Sequence, residues 1–333
     1  MDYAVIQNDL KNQEIHPSNL TEKYISLLAE DIKRSFIEKN LQPYHCPTNG
    51  ESFVSKVFCK MGFQYLKSKT YGNIYLSPRP SDRDLIKFYQ NSNAREFWYR
   101  NLLKQTEAPR REKILDMHLS WIHATAAEHG YRSKRNIVEL NPIIWSYCEL
   151  FREAGYGDTY TMVDPLFSPA WVDDELTRSA IAVEKNSSYD IACLWGALNR
   201  SVDPRATLQR AYGLLSPRGL CFITEVLSSG FEIQTLAGSS SIILPPEKMN
   251  LFSYEGLEAL VKESGFEILE FSTPGLLDVE NVLEQAIKEQ EPPSGFMAYI
   301  AKFRNNPDLI TDFQQFLQVH KLSSIARLVL LKT

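Results

Sequence analysis

The sequence predicts an α/β protein in which a doubly wound, largely parallel sheet over residues 132–333 follows an accessory region of helices and small strands over 1–131. Three observations predict it. From Asn136 onward, short apolar segments alternate with helical ones, the order that builds strand, crossover helix and parallel strand. The apolar segments are nearly continuous, Tyr189-Asp-Ile-Ala-Cys-Leu-Trp195 being the clearest, as expected for a sheet covered on both faces. The chain has 333 residues, and at roughly 150 per domain that leaves room for one medium domain and a sizeable addition.

Each element follows from local pattern. Leu20 to Lys39 is an amphipathic helix with Tyr24, Leu27, Leu28, Ile32 and Phe36 at helical spacing. Pro43 to Ser81 holds short apolar runs broken by Gly50, Gly62 and Gly72, which read as small strands and turns. Asp82 to Trp98 is a helix, and Arg110 to His129 another, with Leu115, Leu119 and Ile122 on its apolar side. After the basic patch Arg132-Ser-Lys-Arg135 come strand Asn136–Leu140, helix Ser146–Ala154 and strand Tyr160–Asp164. Strand Tyr189–Trp195, helix Arg205–Leu215 and strand Gly219–Glu225 continue the series. Helix Ser253–Ser264 ends at Gly265, then strand Phe266–Ser272, helices Val279–Lys288 and Asp308–His320, and a last strand Ile325–Lys332 add antiparallel signals. Glu289 to Gly295 reads as a surface loop.

Composition narrows the function. The formal net charge is −5, from 36 Lys+Arg and 41 Asp+Glu, so no global basic field exists to hold a phosphate backbone and nucleic acid is not an expected partner. No apolar run approaches the ~18 residues of a membrane span, and Met1 to Glu14 lacks the pattern of a secretory signal, so the expected location is cytoplasmic. Five cysteines are too few for a disulfide framework and read as reduced thiols. Glycine is scarce, 15 residues where ordinary usage of ~7% gives about 23.

Several stretches, in order, carry a resemblance. They are Tyr75-Leu-Ser-Pro-Arg-Pro-Ser81 with Phe88-Tyr89, then Ser188-Tyr-Asp-Ile191, Asp203-Pro204, Leu214-Leu-Ser-Pro-Arg-Gly219, Leu244 to Ser253, Glu263-Ser-Gly-Phe266 and Thr273 to Val279. From about Tyr44 to its last residue the sequence resembles the class I S-adenosylmethionine-dependent methyltransferases, in the bacterial branch with an N-terminal zinc-ribbon-like part. The resemblance implies a Rossmann-like sheet, S-adenosylmethionine as cofactor and a site outside the carboxyl ends of the strands.

Against that pattern the sequence departs at its chemical positions. The first strand leads into Val138-Glu-Leu-Asn-Pro-Ile-Ile-Trp-Ser146, which keeps Glu139 but puts Asn141, Ile143 and Trp145 where the family has glycines. Asn tolerates the left-handed region, whereas Ile and Trp do not, so the loop must take another conformation or fill the pocket with its own side chains. Asp164 stands where the family's acidic residue accepts from ribose hydroxyls, although an Asp before Pro also reads as a turn residue. Asp190 reads as a structural carboxylate. Where the family carries an acidic-His pair, this chain has Gly196, Asn199 and Arg200 in Leu194-Trp-Gly-Ala-Leu-Asn-Arg-Ser201. Two further histidine positions hold Lys248 and Ile325. No catalytic residue is thereby identified. Lys248 is the candidate left, and it serves as a base only if desolvation lowers its pKa.

The ribbon is also reduced. His45, Cys46 and Cys59 are the only candidate ligands, fewer than the four that close a structural site, so zinc is not expected. The other histidines, His16, His118, His123, His129 and His320, do not cluster and read as surface or capping residues.

Besides a different ligand, such as a nucleotide sugar, held in the altered pocket, two functions emerge. The first is a methyltransferase-like protein, divergent or catalytically impaired, serving as a binding or scaffold partner in glycan or natural-product modification. Its partner would be a small molecule or a protein such as an active paralogue, and Ile143, Ile144, Trp145 and Trp195 would reshape the cofactor pocket. The second is an active enzyme acting on a hydroxyl or amine of a sugar or small metabolite, with Glu139, Asn141, Asp164 and Trp195 lining the cofactor site. Methyl transfer needs chiefly in-line positioning, so the missing bases do not exclude it.

Overall fold

A computed structural model describes residues 4–36, 41–52, 54–131, 135–172, 175–181, 188–288, 296–302 and 305–333. Its strands are β1 (Val54–Lys60), β2 (Phe63–Ser68), β3 (Ile74–Leu76), β4 (Asn136–Leu140), β5 (Thr159–Val163), β6 (Tyr189–Trp195), β7 (Leu215–Val226), β8 (Asn250–Leu251), β9 (Phe266–Ser272) and β10 (Ile325–Lys332). They form a six-stranded sheet of order β5-β4-β6-β7-β10-β9 and a four-stranded sheet of order β1-β2-β3-β8.

In the larger sheet β5, β4, β6 and β7 run parallel, and β10 enters antiparallel between β7 and β9. The chain leaves β4 toward β5 on one side and returns to β6 on the other, so the switch point lies between β4 and β6. That is where an open sheet of this kind leaves a crevice beyond its carboxyl ends. Alternate strand residues face two cores. Val138, Leu140, Ala192, Leu194, Cys221 and Ile223 pack under helices Pro204–Leu214 and Tyr254–Glu263. Ile137, Ile191, Cys193, Trp195 and Phe222 pack under helices Asp116–Glu128 and Ser146–Glu153. The doubly wound α/β expectation therefore holds.

The smaller sheet is closed by β8, which lies in the Leu244 to Ser253 stretch and pairs Leu251 with Ile74. This short strand carries no sequence signal of its own. Helix Ser18–Phe36 buries Tyr24, Leu28, Ile32 and Phe36 in a core shared with Leu76, Phe88 and Leu251.

The predicted helix from Asp82 to Trp98 is instead broken at Ser92, whose φ of −78° and ψ of 122° are extended. The cause is a distant carboxylate. Buried Asp31 accepts from Ser92 Oγ at 2.6 Å and from Ala94 N at 2.8 Å, so it caps a second helix, Asn93–Phe97. That helix runs on through wider turns at Trp98–Leu103 and Arg111–Leu115 before regular winding resumes at Asp116. Among the described residues no helix is long and apolar enough to cross a membrane. Most of the basic patch, at 132–134, and the loop at 289–295 lie outside the described residues.

Candidate functional site

The loop after β4 resolves its missing glycines unequally. Asn141 takes φ +51°, as a short polar side chain permits, and its N–H donates to Val163 O at 2.9 Å across to β5. Trp145 has an ordinary φ of −99°. Its ring turns away from the strand ends to stack on Tyr99, centroids 4.9 Å apart, and meets Phe167 edge-on at 5.5 Å. The Ile143 carbonyl accepts from the buried Arg95 Nη2 at 3.2 Å. Arg95 is held in turn by Glu247 at 2.6 Å, and Glu247 also accepts from Tyr24 Oη at 2.7 Å.

Between β4 and β6 stands Arg200. Strand β6 ends at Trp195, and Gly196, with a φ of +64°, turns the chain into the short helix Ala197–Arg200. Arg200, 3% exposed, folds back over that turn. Its Nη1 donates to Gly196 O at 2.7 Å, its Nη2 to Trp195 O, and its Nε to Asn141 O at 3.5 Å. One guanidinium thus bonds to the carboxyl ends of both strands flanking the switch point. The turn is fixed from behind by Asn199, which donates to Val226 O and Asn250 O and accepts from Val226 N at 2.8 Å. Buried Arg79 ties the accessory region to the same place through Val202 O at 3.0 Å and Asn250 Oδ1 at 2.9 Å.

Arg200 borders two cavities. The larger, about 300 Å³, is lined by Glu139, Trp195, Lys248 and Glu225 among others. The smaller, about 200 Å³, is lined by Asn141, Leu166, Asp203 and Arg210 among others. The sequence-predicted residues divide accordingly. Glu139, Trp195 and Lys248 share the first cavity and Asn141 lines the second. Asp164, also at a positive φ of +50°, lies exposed at the end of β5 in an ion pair with Arg210. His45 is exposed, Cys46 is buried against the Asn73 amide at 3.4 Å, and Cys59 is exposed on the edge strand β1. The described residues bring no three His, Cys, Asp or Glu side chains together in a metal-binding group.

Burial governs the chemistry of the larger cavity. Glu139 accepts from Tyr160 Oη at 2.6 Å, and burial raises its carboxyl pKa to about 8, so it is mainly protonated at neutral pH. Glu225 accepts from Leu198 N at 2.7 Å and Asn199 N at 2.9 Å, and burial pushes it up as well. The Lys248 ammonium donates to Asn199 Oδ1 at 3.4 Å, and burial and then Arg200 lower its pKa. The surface reading of His118 is corrected. It stacks on Trp195 at 5.5 Å and bonds through Nδ1 to Tyr147 Oη at 2.8 Å, and burial brings it down to about 4. Trp195 stacks on Tyr147 at 4.9 Å, and its buried Nε1–H has no acceptor among the described residues. Sequence reasoning missed Arg95, Arg110, Glu225 and the part played by Arg200. The one available signal was an arginine a helical turn after Gly196 beside an apolar strand.

The methyltransferase-domain family matches the chain over residues 120–270. No curated protein matches. Among solved structures, the complex between the Haloferax volcanii Trm112 methyltransferase activator and a methyltransferase contains a chain 15% identical, covering 72% of this chain and 97% of that one with a TM-score of 0.43. Magnesium protoporphyrin IX methyltransferase from Synechocystis PCC 6803, with bound S-adenosylhomocysteine, is 8% identical, covering 65% and 83% with a TM-score of 0.40. An S-adenosylmethionine-dependent methyltransferase from Mesorhizobium loti is 12% identical, covering 62% and 96% with a TM-score of 0.37.

Proposed function

Residues 120–270 belong to the methyltransferase-domain family, and from that premise we propose that the chain uses this fold to bind a ligand without transferring methyl groups from S-adenosylmethionine. The observation that carries the reading is Arg200. Its guanidinium bonds to the carbonyls of Asn141, Trp195 and Gly196, at the strand ends where a ligand of this fold approaches the backbone. A sulfonium entering the same crevice meets a fixed positive charge. Two unit cations 5 Å apart repel by about 3 kcal/mol at an effective dielectric constant of roughly 20.

The acceptors that the cofactor would use are also engaged. Glu139 is held by Tyr160 and mainly protonated, and Asp164 is paired with Arg210. The fixed cation and the engaged acceptors support the reading that S-adenosylmethionine is not this crevice's ligand. In this reading the chain is a binding or scaffold partner, to a small molecule or to a protein such as an active paralogue, in glycan or natural-product modification. Calorimetric titration with S-adenosylmethionine and S-adenosylhomocysteine tests it: no binding heat is expected at millimolar ligand, and a micromolar Kd overturns it. The alternative, an active methyltransferase on a sugar or small-metabolite hydroxyl or amine, is favoured by one observation, a cavity of about 300 Å³ at the strand ends. The same micromolar binding would establish its first requirement.

A further inference from the structure

The larger cavity is lined by cations that meet no carboxylate at ion-pair distance. Arg110, Arg200 and Lys248 line it, and none has a carboxylate oxygen within 4.0 Å among the described residues. Their hydrogen-bond partners are all neutral. Arg110 donates from Nε to Thr106 Oγ1 at 2.8 Å and from Nη2 to Ile15 O at 2.6 Å. Arg200 donates to three carbonyls, and Lys248 to the Asn199 amide oxygen. Arg111, the fourth cation of the lining, is by contrast paired with Glu153 at 2.5 Å.

The acids nearby act on these cations only from beyond ion-pair distance. Glu139 is mainly protonated at neutral pH. Glu225, whose two oxygens accept from backbone N–H groups, and Glu247 are the carboxylates that act on Lys248 and Arg200, and Glu107 and Glu149 also line the cavity. Burial lowers the Arg110 pKa only to about 10, which leaves it a cation at neutral pH. Buried cations are normally paired, because removing a charge from water is costly. Trp195, 8% exposed, lines this cavity with its ring, stacked on His118 and Tyr147, while its Nε1–H is buried without an acceptor among the described residues. Buried indole N–H groups usually find a partner. The remaining wall is apolar, with Trp98, Ile143, Ile144 and Leu150, and a volume of about 300 Å³ suits a metabolite-sized ligand.

We infer that the cavity binds a small organic carboxylate, its anionic head set between Arg200 and Lys248, which come together at Gly196, and its apolar or aromatic body against Trp195 and the isoleucines. A monoanion with an apolar body suits these walls better than a phosphate, whose dianion carries a larger desolvation cost. The inference rests on the proposed non-catalytic use of the crevice, in which a carboxylate without an adjoining sulfonium occupies it.

The test titrates the full chain at pH 7 with indole-3-acetate and octanoate, with indole-3-acetamide as the neutral analogue and phenyl phosphate as the phosphate analogue. At least one carboxylate is expected to bind. The indole acid is expected to bind at least tenfold more tightly than its amide, and Arg200→Gln to weaken the acid at least tenfold. Trp195→Phe keeps an aromatic ring in the stack but removes the N–H together with part of the indole wall. It is expected to unfold cooperatively at a somewhat lower temperature and to bind the acid severalfold more weakly. Equal binding of acid and amide, silence of both carboxylates at 10 mM, or tighter binding of phenyl phosphate each overturns the assignment. S-adenosylmethionine titrated in parallel separates the two readings. Its binding overturns the non-catalytic proposal, whereas silence of both it and the carboxylates overturns only this inference.

Discussion

Replacing Glu139 with Gln turns the protonation of the buried strand end into a measurable stability. The carboxyl is 2% exposed and titrates near 8 in the folded chain against 4.5 when unperturbed. Between those values the folded state keeps a proton that the unfolded state has released. The stability associated with the neutral acid is therefore fully present below about pH 4.5 and is lost as pH rises through 8. At 1.36 kcal/mol per pKa unit, the wild type loses about 3 kcal/mol from this one group between pH 5.5 and 8.5. Glu139→Gln carries the same acceptor for the Tyr160 hydroxyl and nothing that ionises, so it loses none at this position. Urea denaturation of both proteins at pH 5.5, 7.0 and 8.5, at fixed ionic strength, should show the variant gaining on the wild type by about 3 kcal/mol across the range. Parallel stability curves, whatever their offset, would refute the argument that Glu139 is buried as the neutral acid.

Three further outcomes follow from packing and pairing. Trp145→Gly removes the ring stacked on Tyr99 and Phe167 and should cost about 3–5 kcal/mol in chemical denaturation. Asn141→Gly, at φ +51°, should change stability by less than about 1 kcal/mol, and a neutral Trp145→Gly would contradict the assigned stack. Arg95→Met strands Glu247 and frees the Ile143 carbonyl, with an expected loss of about 3–5 kcal/mol; a loss below 1 kcal/mol would mean that the pair contributes little. Protein purified without chelator should contain far less than one zinc per chain, with a melting temperature that EDTA leaves unchanged. Stoichiometric zinc would show that Cys46 and Cys59 are brought together in solution.

Legibility in the sequence followed the range of the interactions involved. Strands β4, β6, β9 and β10 were readable to the residue, because each is a short apolar run closed by a change of pattern and its burial is a property of the run itself. The break at Ser92 was not, because it depends on Asp31, 61 residues away. Strand β8 was invisible for the same reason, since two residues become a strand only when β3 lies beside them. Glu139 and Trp195 could be placed at the strand ends from sequence. The role of Arg200 could not, since it requires β4 and β6 to be neighbours, a relation created by the crossover through β5.

The same reasoning explains how a chain poor in glycine keeps the crevice open to side chains and closes it to close backbone approach. Two strand ends need a left-handed residue, and Asn141 and Asp164 supply it at φ +51° and +50°, the short polar side chains for which that conformation costs least after glycine. A glycine there would leave the backbone bare for a ligand. Here Arg200 bonds to the Asn141 carbonyl and Arg210 pairs with the Asp164 carboxylate. Backbone and carboxylate groups that could recognise a cofactor are thus satisfied from within the chain. In the proposed reading, recognition in this crevice passes from the main chain to the side chains of Arg200 and Lys248, which meet no carboxylate at ion-pair distance among the described residues.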